Sequence, residues 1–256
     1  MNTPSSTQTE ATSLELHGTL YHLEASWSER VYLLLVSVFV TLLVLTNIIG
    51  AKLFYWFDFP LTAGIITYPL TFLCTDIVSE IYGKKRADRM VVLGFAMSVL
   101  MLATVQATIY LPPAIATWKV EGLGFADGRA MQRAWKACFG VGPWLVTGSM
   151  LAYLSAQLCD NFLFHFWRRL TKGKYLWLRN NGSTPVSQLV DTFIVNSFLF
   201  YGFYRMGWKE GLVIMGQIYL FKLAIALADT PFCYLGVWGV RRFLRRKGEL
   251  PASPGA

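Results

Sequence analysis

The stretch YPLTFLCTDIVSEIYGKKRADR, residues 68–89, is the part of the sequence that decides the fold. It begins as an apolar helix, carries Asp76 and Glu80 within that helix, and ends in four basic residues between positions 84 and 89. A charged side chain at the centre of an apolar span costs about 3 kcal/mol or more, so such groups are rare and face a partner or a cavity. The stretch therefore predicts one helix of a membrane protein with an interior site.

The composition of the whole chain is that of a membrane protein. Of its 256 residues, 54% are hydrophobic and only 15% are charged, and the mean hydropathy is +0.43. Irregular backbone cannot face lipid, because its polar groups would lack hydrogen-bond partners. We therefore predict an all-α membrane protein, a bundle of six transmembrane helices. The six apolar runs, each close to the ~20 residues that cross a bilayer core, are residues 31–54, 61–82, 90–111, 141–164, 187–206 and 211–235.

The basic residues report the orientation of the chain. The formal net charge is +8, and fourteen of the 23 Lys and Arg residues lie in three short clusters at 84–89, 168–179 and 241–247. Six crossings place these clusters and both termini on one side, which the positive-inside rule makes cytoplasmic. Clusters next to apolar spans do not form the continuous basic face of a nucleic-acid-binding protein.

The predicted organisation has three parts. Residues 1–30 are polar and acidic, and predict a flexible N-terminal tail without a cleavable signal peptide. Residues 31–240 form the six-helix transmembrane domain, and residues 241–256 form a basic cytoplasmic C-terminal tail. Pro112 and Pro113 should end the third span, and residues 114–137 form the longest connection.

Polar side chains recur inside the predicted spans and supply the candidate binding residues. Spacings of three, four or seven residues place them on one face of each helix. Several helices thus each present a polar stripe, which predicts a shared interior cavity. The candidate substrate-binding residues are Asp76, Asp160, Asp191, Lys222, Gln157, Asn47, Asn196, Gln188, Phe72 and Asp229.

Interhelical hydrogen bonding is the competing explanation for each of these groups. For Glu80 we favour it, and predict an interfacial ion pair with Lys84. For Asp229 a structural role is as well supported as a binding role. Weaker candidates, as rings that could stack on a ligand, are Phe72, Trp144 and Phe193.

The sequence does not predict an enzyme. HExxH, GxSxG and Walker motifs are absent, and none of the three histidines lies within a span beside a partner. The four cysteines lack CxxC spacing, so neither a zinc site nor a disulfide framework is indicated. We expect no catalytic residue, metal or cofactor.

Five stretches, in this order, resemble the queuosine precursor transporters of the vitamin uptake transporter group. The resemblance implies a six-helix protein of the bacterial inner membrane that imports 7-cyano-7-deazaguanine and 7-aminomethyl-7-deazaguanine for tRNA modification. The family often has Pro-Arg where this chain has Pro143-Trp144. The stretches are TNIIGAKLF (46–54), AGIITYPLTFLCTDIVSEIYGKKRA (63–87), GSMLAYLSAQLCD (148–160), WLRNNGSTPVSQLVDT (177–192) and YLFKLAIALADTPFCY (219–234).

The chemistry of a deazaguanine base suits such a cavity. Its N1–H and 2-amino group lie side by side, so one carboxylate can accept two parallel hydrogen bonds from that edge. Asp76, Asp160 or Asp191 could be this edge reader. Lys222 could donate to O6 or neutralise an acid, and the amides that could read the O6 and N7 side are Gln157, Asn47 and Asn196. The expected partners are this small molecule and the lipid bilayer, without direct contact to nucleic acid; an oligomer is compatible with the sequence.

Two other functions fit the same sequence. One is the substrate-capture subunit of an energy-coupled vitamin importer, which would need a separate ATPase and coupling protein. The other is a non-transporting structural membrane protein whose polar groups only join helices. For a transporter, interior carboxylates are compatible with proton coupling and equally with facilitated diffusion.

Overall fold

The protein is a helical bundle in the computed structural model, which describes residues 26–49, 52–56, 59–120, 122, 124–140, 143–203 and 205–249. The α-helices in these residues are α1 (Trp27–Ile49), α2 (Tyr68–Tyr82), α3 (Lys84–Tyr110), α4 (Gly128–Phe139), α5 (Pro143–Leu170), α6 (Leu176–Asn196) and α7 (Trp208–Arg246).

Shorter elements connect the helices. An antiparallel hairpin of β1 (Leu53–Trp56) and β2 (Phe59–Thr62), followed by a 3₁₀ turn (Ala63–Ile66), joins α1 to α2. A π-helical segment (Ser197–Phe203) extends α6. Among the described residues the fold is therefore mainly helical, with one short hairpin and an isolated β-bridge between Val120 and Phe125.

Among the described residues, four helical segments are long and apolar enough to cross a membrane: α1, residues 63–82, α3 and α7. Many large apolar side chains on α1, α3 and α7 point away from the protein; Leu34 is 62% exposed and Leu235 is 63% exposed. Helices that are apolar on their outward faces belong in lipid. The protein is therefore a multi-pass membrane protein.

Helix α2 lies at the centre of the bundle. It packs against α1, α3, α5 and α7, and ten of its fifteen residues are buried. One apolar cluster around Val78 and Phe39 joins α2 to α1, α3 and α5, and a second around Ile77 and Cys233 joins it to α7. Asp76 and Glu80 are thus carried by the most enclosed of the candidate spans.

Several helix boundaries differ from the predicted spans: α3 begins earlier, at Lys84, α5 and α7 end later, at Leu170 and Arg246, and two further differences change the connections between helices. The first span was predicted to reach residue 54, but α1 ends at Ile49 and Leu53 pairs with Thr62 in the hairpin. The fifth was predicted to begin at Ser187, but α6 begins at Leu176. Residues 176–186 look like a loop because they are polar, whereas in the fold their polar side chains face neighbouring helices.

The long connection after α3 contains a helix that was not predicted from the sequence. Helix α3 ends at Tyr110, before the two prolines, as predicted. Helix α4 then begins after Asp127, whose Oδ1 accepts a hydrogen bond from the Ala130 amide at 2.7 Å and so caps it. Gln132 Nε2 on α4 donates to the Ile109 carbonyl at 2.7 Å, which fixes α4 to the end of α3.

The two predicted tails lie largely outside these elements. Residues 1–25 and 250–256 lie outside the described residues. Helix α7 continues to Arg246, so the first part of the predicted C-terminal tail is helical.

Candidate functional site

The buried face of α6 is polar along its whole length. Nine of its residues are buried and all nine are polar, at spacings of mostly three and four residues that follow one side of the helix. The outward face is apolar and exposed at Val186, Leu189 and Phe193. A membrane helix with this distribution turns its hydrogen-bonding groups towards the protein interior. The buried residues are Arg179, Asn180, Ser183, Thr184, Ser187, Gln188, Asp191, Thr192 and Asn196.

Two carboxylates meet between α2 and α5, opposite this polar face. Asp76 on α2 is 1% exposed and lies beside Asp160 on α5, which is fully buried. Ser187 on α6 donates to Asp160 Oδ1 at 2.9 Å. Gln157 lies one turn before Asp160 and accepts a hydrogen bond from Thr75 at 3.4 Å. Three helices therefore enclose one polar chamber.

Several polar atoms of this chamber have no hydrogen-bond partner among the described residues. Buried polar groups in folded proteins are nearly always paired, so each exception calls for an explanation. Most of the exceptions are acceptors that a ligand or water could satisfy, and the neighbouring carboxyl groups of Asp76 and Asp160 could also share one proton. The atoms are Asp76 Oδ1 and Oδ2, Asp160 Oδ2, Gln157 Nε2 and Gln188 Oε1.

An ion pair joins α6 to α7 at the side of the chamber. Lys222 Nζ on α7 donates to Asp191 Oδ2 at 2.6 Å and lies 5.0 Å from the ring centre of Tyr68. Tyr68, the first residue of α2, also neighbours Gln188 and Asp191 through its hydroxyl. The lysine is therefore held by a carboxylate and an aromatic face.

The space between these groups is small in this conformation. A cavity of about 20 Å³ is lined by residues that include Phe72, Gln188, Lys222 and Asp229. That volume holds about one water molecule. A ligand of nucleobase size could therefore enter only when the surrounding helices move apart.

Most of the predicted site residues come together at the chamber and this cavity. The eight that do so are Asp76, Asp160, Gln157, Gln188, Asp191, Lys222, Phe72 and Asp229. Two do not join them through any described contact. Asn47 donates to Ser98 on α3 at 3.3 Å, and Asn196 donates to the carbonyl of Thr192 on its own helix at 2.7 Å.

The weaker aromatic candidates differ in position. Phe72 is buried and contacts Tyr68 edge to face, with 5.1 Å between ring centres. Phe193 is 53% exposed on the outward face of α6, so it does not line the chamber. The side chain of Trp144 lies outside the described part of the structure.

The predicted pair of Glu80 with Lys84 is wrong. Lys84 instead pairs with Asp88, one turn further along α3. Glu80 is 4% exposed and binds Arg179 of α6 and, at 2.5 Å, Arg241 of α7. A buried carboxylate requires paired hydrogen bonds that two guanidinium groups supply better than one ammonium.

Several groups that shape this region are not among the residues predicted for the site. Tyr68 lies four residues before Phe72 on the same face of α2, and this spacing could have revealed it. Ser187 and Arg179 belong to the i, i+4 polar pattern of α6, which becomes readable once the helix is known to begin at Leu176. That Arg179 and Arg241 pair with Glu80 leaves no local signal in the sequence, since the three residues lie on different helices.

A bundle with a lipid-facing apolar surface and an interior chamber of unpaired carboxylates is the architecture of a small-solute membrane transporter. The comparisons with known proteins agree with this class. The family described as "Putative vitamin uptake transporter" matches residues 62–236. The chain belongs to this family, which comprises transporters rather than enzymes.

Relatives with assigned names extend the comparison. The chain is 33% identical over 193 residues to the "Probable queuosine precursor transporter" of Bacillus subtilis, covering 75% of this chain and 78% of that protein. It is 24% identical over 192 residues to the "Queuosine precursor transporter" of Escherichia coli, covering 75% and 73%. No solved structure matches the chain.

Proposed function

We propose that the chain imports queuosine precursors, 7-deazaguanine bases such as 7-cyano- and 7-aminomethyl-7-deazaguanine, across the bacterial inner membrane. The names of its relatives support queuosine precursors as the cargo. The observation that carries the proposal is Asp76, a buried carboxylate whose two oxygens accept no hydrogen bond from the described residues.

The chamber offers hydrogen-bond acceptors to the edge of the base that carries adjacent hydrogen-bond donors. N1–H and the 2-amino group are adjacent donors, and Asp76 presents two unpaired acceptor oxygens. Asp160 has one further unpaired oxygen beside it. The base would bind with this edge towards the two carboxylates, and each charge-assisted hydrogen bond would exceed a neutral one in strength.

Aromatic and amide groups complete the proposed site. Tyr68 and Phe72 are neighbouring rings on the chamber face of α2, and one base stacked on an aromatic ring gains roughly 1–3 kcal/mol. Gln157 and Gln188 have unpaired amide atoms that can read the remaining polar edges. Lys222 remains with Asp191 and holds α7 against α6 while the base is bound.

The proposed topology has six crossings and cytoplasmic termini. Helices α5 and α6, with 28 and 21 residues, are about 42 and 32 Å long at the usual rise of about 1.5 Å per residue, enough for a core of about 30 Å. Their polar stripes lower their hydropathy without shortening them. Residues from all three basic clusters line one cavity at one end of the bundle, which supports the prediction that these clusters share the cytoplasmic side.

The test is rescue of tRNA modification in bacterial cells that lack both synthesis and salvage of the precursors. Cells expressing the chain are fed each base in turn, and queuosine in tRNA is measured by mass spectrometry. Restoration by a 7-deazaguanine base, and not in cells with the empty vector, is the expected result. Wild-type membrane levels of the protein without any restoration would contradict the proposal.

The same rescue experiment, in a modified host, tests the alternative that the chain is a substrate-capture subunit. If the host is also deleted for the ATPase and coupling protein of energy-coupled importers, a self-sufficient transporter still restores queuosine. Rescue that depends on those proteins would assign the chain to the capture-subunit class.

A further inference from the structure

A second, much larger cavity opens at the end of the bundle that carries the basic clusters. Its volume is about 1680 Å³, and side chains of α2, α3, α5, α6 and α7 line it. Ten of the lining residues are Lys or Arg, and one, Glu80, is acidic. The cavity is separate from the chamber around Asp76.

The acid inside the cavity is already paired. Glu80 binds Arg179 and Arg241, and Lys84 pairs with Asp88. Most of the remaining cations have no acidic partner within the described residues, among them Arg169, Lys172 and Arg245. The concave shape adds their fields together, since low-dielectric walls focus charge of one sign. The cavity is thus built to attract an anion.

The lining points to the chemistry of that anion. Trp177 and Trp238 line the cavity with side chains that are 51% and 58% exposed, and the Arg242 guanidinium lies 5.0 Å from the ring centre of Trp238. Exposed Trp at the end of a membrane bundle is typical of the level of lipid headgroups. Arginine also matches the geometry of phosphate oxygens through its two parallel N–H groups.

We propose that this cavity binds the phosphate headgroup of an anionic phospholipid. The basic walls bind the phosphate, while the exposed tryptophans pack against the glycerol and the first part of the acyl chains. Basic pockets between membrane helices recognise such headgroups in general. The proposal does not depend on which solute the chamber carries. A free phosphate ion would use the same cations but would gain nothing from the aromatic rim.

The test compares two matched double variants of the full chain, purified in non-ionic detergent. Arg169→Gln with Arg245→Gln removes two exposed cations of the cavity, and Arg129→Gln with Arg133→Gln removes two exposed cations of α4, which packs at the far end of α3. Thermal unfolding is measured with added phosphatidylglycerol, with phosphatidylcholine, and with inorganic phosphate against chloride at equal ionic strength. Native mass spectrometry counts the lipids retained.

The expected result is a higher Tm and a retained lipid with phosphatidylglycerol only. The α4 variant should keep this response, and the cavity variant should lose most of it while unfolding at the wild-type temperature without lipid. Equal responses of the two variants, or equal responses to the two lipids, would overturn the proposal. An equal rise in Tm with inorganic phosphate would mean that the cavity binds a soluble anion, and would contradict the proposal that it binds a lipid.

Discussion

The ammonium of Lys222 lies 2.6 Å from a carboxylate oxygen of Asp191, so an ion pair inside the bundle ties α7 to α6. The Lys222 side chain is 17% exposed and that of Asp191 is 9% exposed. Removal of one member of a buried pair leaves the other charge without compensation.

We expect Asp191→Asn to lower the unfolding free energy by roughly 3 kcal/mol, the usual scale for a broken buried pair, and to reduce uptake. Adding Lys222→Gln should restore much of the stability, because no unpaired charge then remains. Thermal unfolding of the purified variants measures this coupling. Wild-type stability of Asp191→Asn alone would contradict a pair that holds the two helices.

The opposite behaviour is expected of Asp76. Its oxygens are unpaired among the described residues, so Asp76→Asn should leave Tm unchanged or raise it while abolishing uptake of a 7-deazaguanine base. Radiolabelled uptake and thermal unfolding of the same variant are compared. Glu210→Gln, at an exposed acid near the start of α7, is the control and should change neither. Full uptake by Asp76→Asn would show that Asp76 is not needed for substrate binding and would contradict its assignment to the site.

The pairing of Glu80 predicts that two nearby substitutions lower the unfolding free energy by very different amounts. Glu80→Gln leaves Arg179, whose side chain is 3% exposed, without its carboxylate, and should cost about 3–5 kcal/mol. Lys84→Gln removes only a partly exposed pair with Asp88, which is worth about 1 kcal/mol or less. Denaturation of both variants under one set of conditions separates them. Similar losses would mean that the buried network contributes no more than the surface pair.

Close packing of α3 depends on the absence of a side chain at Gly94. A Cβ there would lie 2.6 Å from the Phe39 ring and 2.9 Å from Leu43 on α1. We expect Gly94→Val to destabilise the protein by roughly 1–3 kcal/mol, the usual scale for overpacking. Gly216→Val on α7 is the matched control, because no atom of another described element lies within 4 Å of a Cβ at that position. Equal Tm values for the two would contradict the predicted contact of α3 with α1.

Local sequence signals predicted much of the fold and of the chamber. Asp76 and Phe72 share a face because both follow the periodicity of α2, and α3 ends before Pro112 because proline cannot continue the helix. Asp160 and Gln157 were likewise predicted from spacing alone. Helix periodicity and helix termination by proline depend only on residues close together in the sequence, so both can be predicted from the sequence alone.

Partners that come from distant parts of the chain could not be predicted. Glu80 meets Arg179 and Arg241, which are 99 and 161 residues away in sequence, whereas the nearest cation, Lys84, binds a different acid. Asn47 was placed with the acids by its polarity, but its described contact is Ser98 on α3. Which residues contact each other across helices depends on how the helices rotate and pack, and the pattern of polar residues in the sequence does not specify this.

The long sequence separation between Glu80 and its partners Arg179 and Arg241 has a consequence for the insertion of the chain into the membrane during its synthesis. Helix α2 leaves the ribosome well before Arg179 is made, and Arg241 follows later still, 161 residues after Glu80. During that interval the carboxylate of Glu80 lacks the two guanidinium groups that bind it most closely in the folded bundle, and an unpaired charge is poorly tolerated at membrane depth. The ion-pair network that holds α2 in the bundle is therefore complete only after α7 has been made, and a nascent chain that stops short of α7 should be a better substrate for quality-control proteolysis than the full chain.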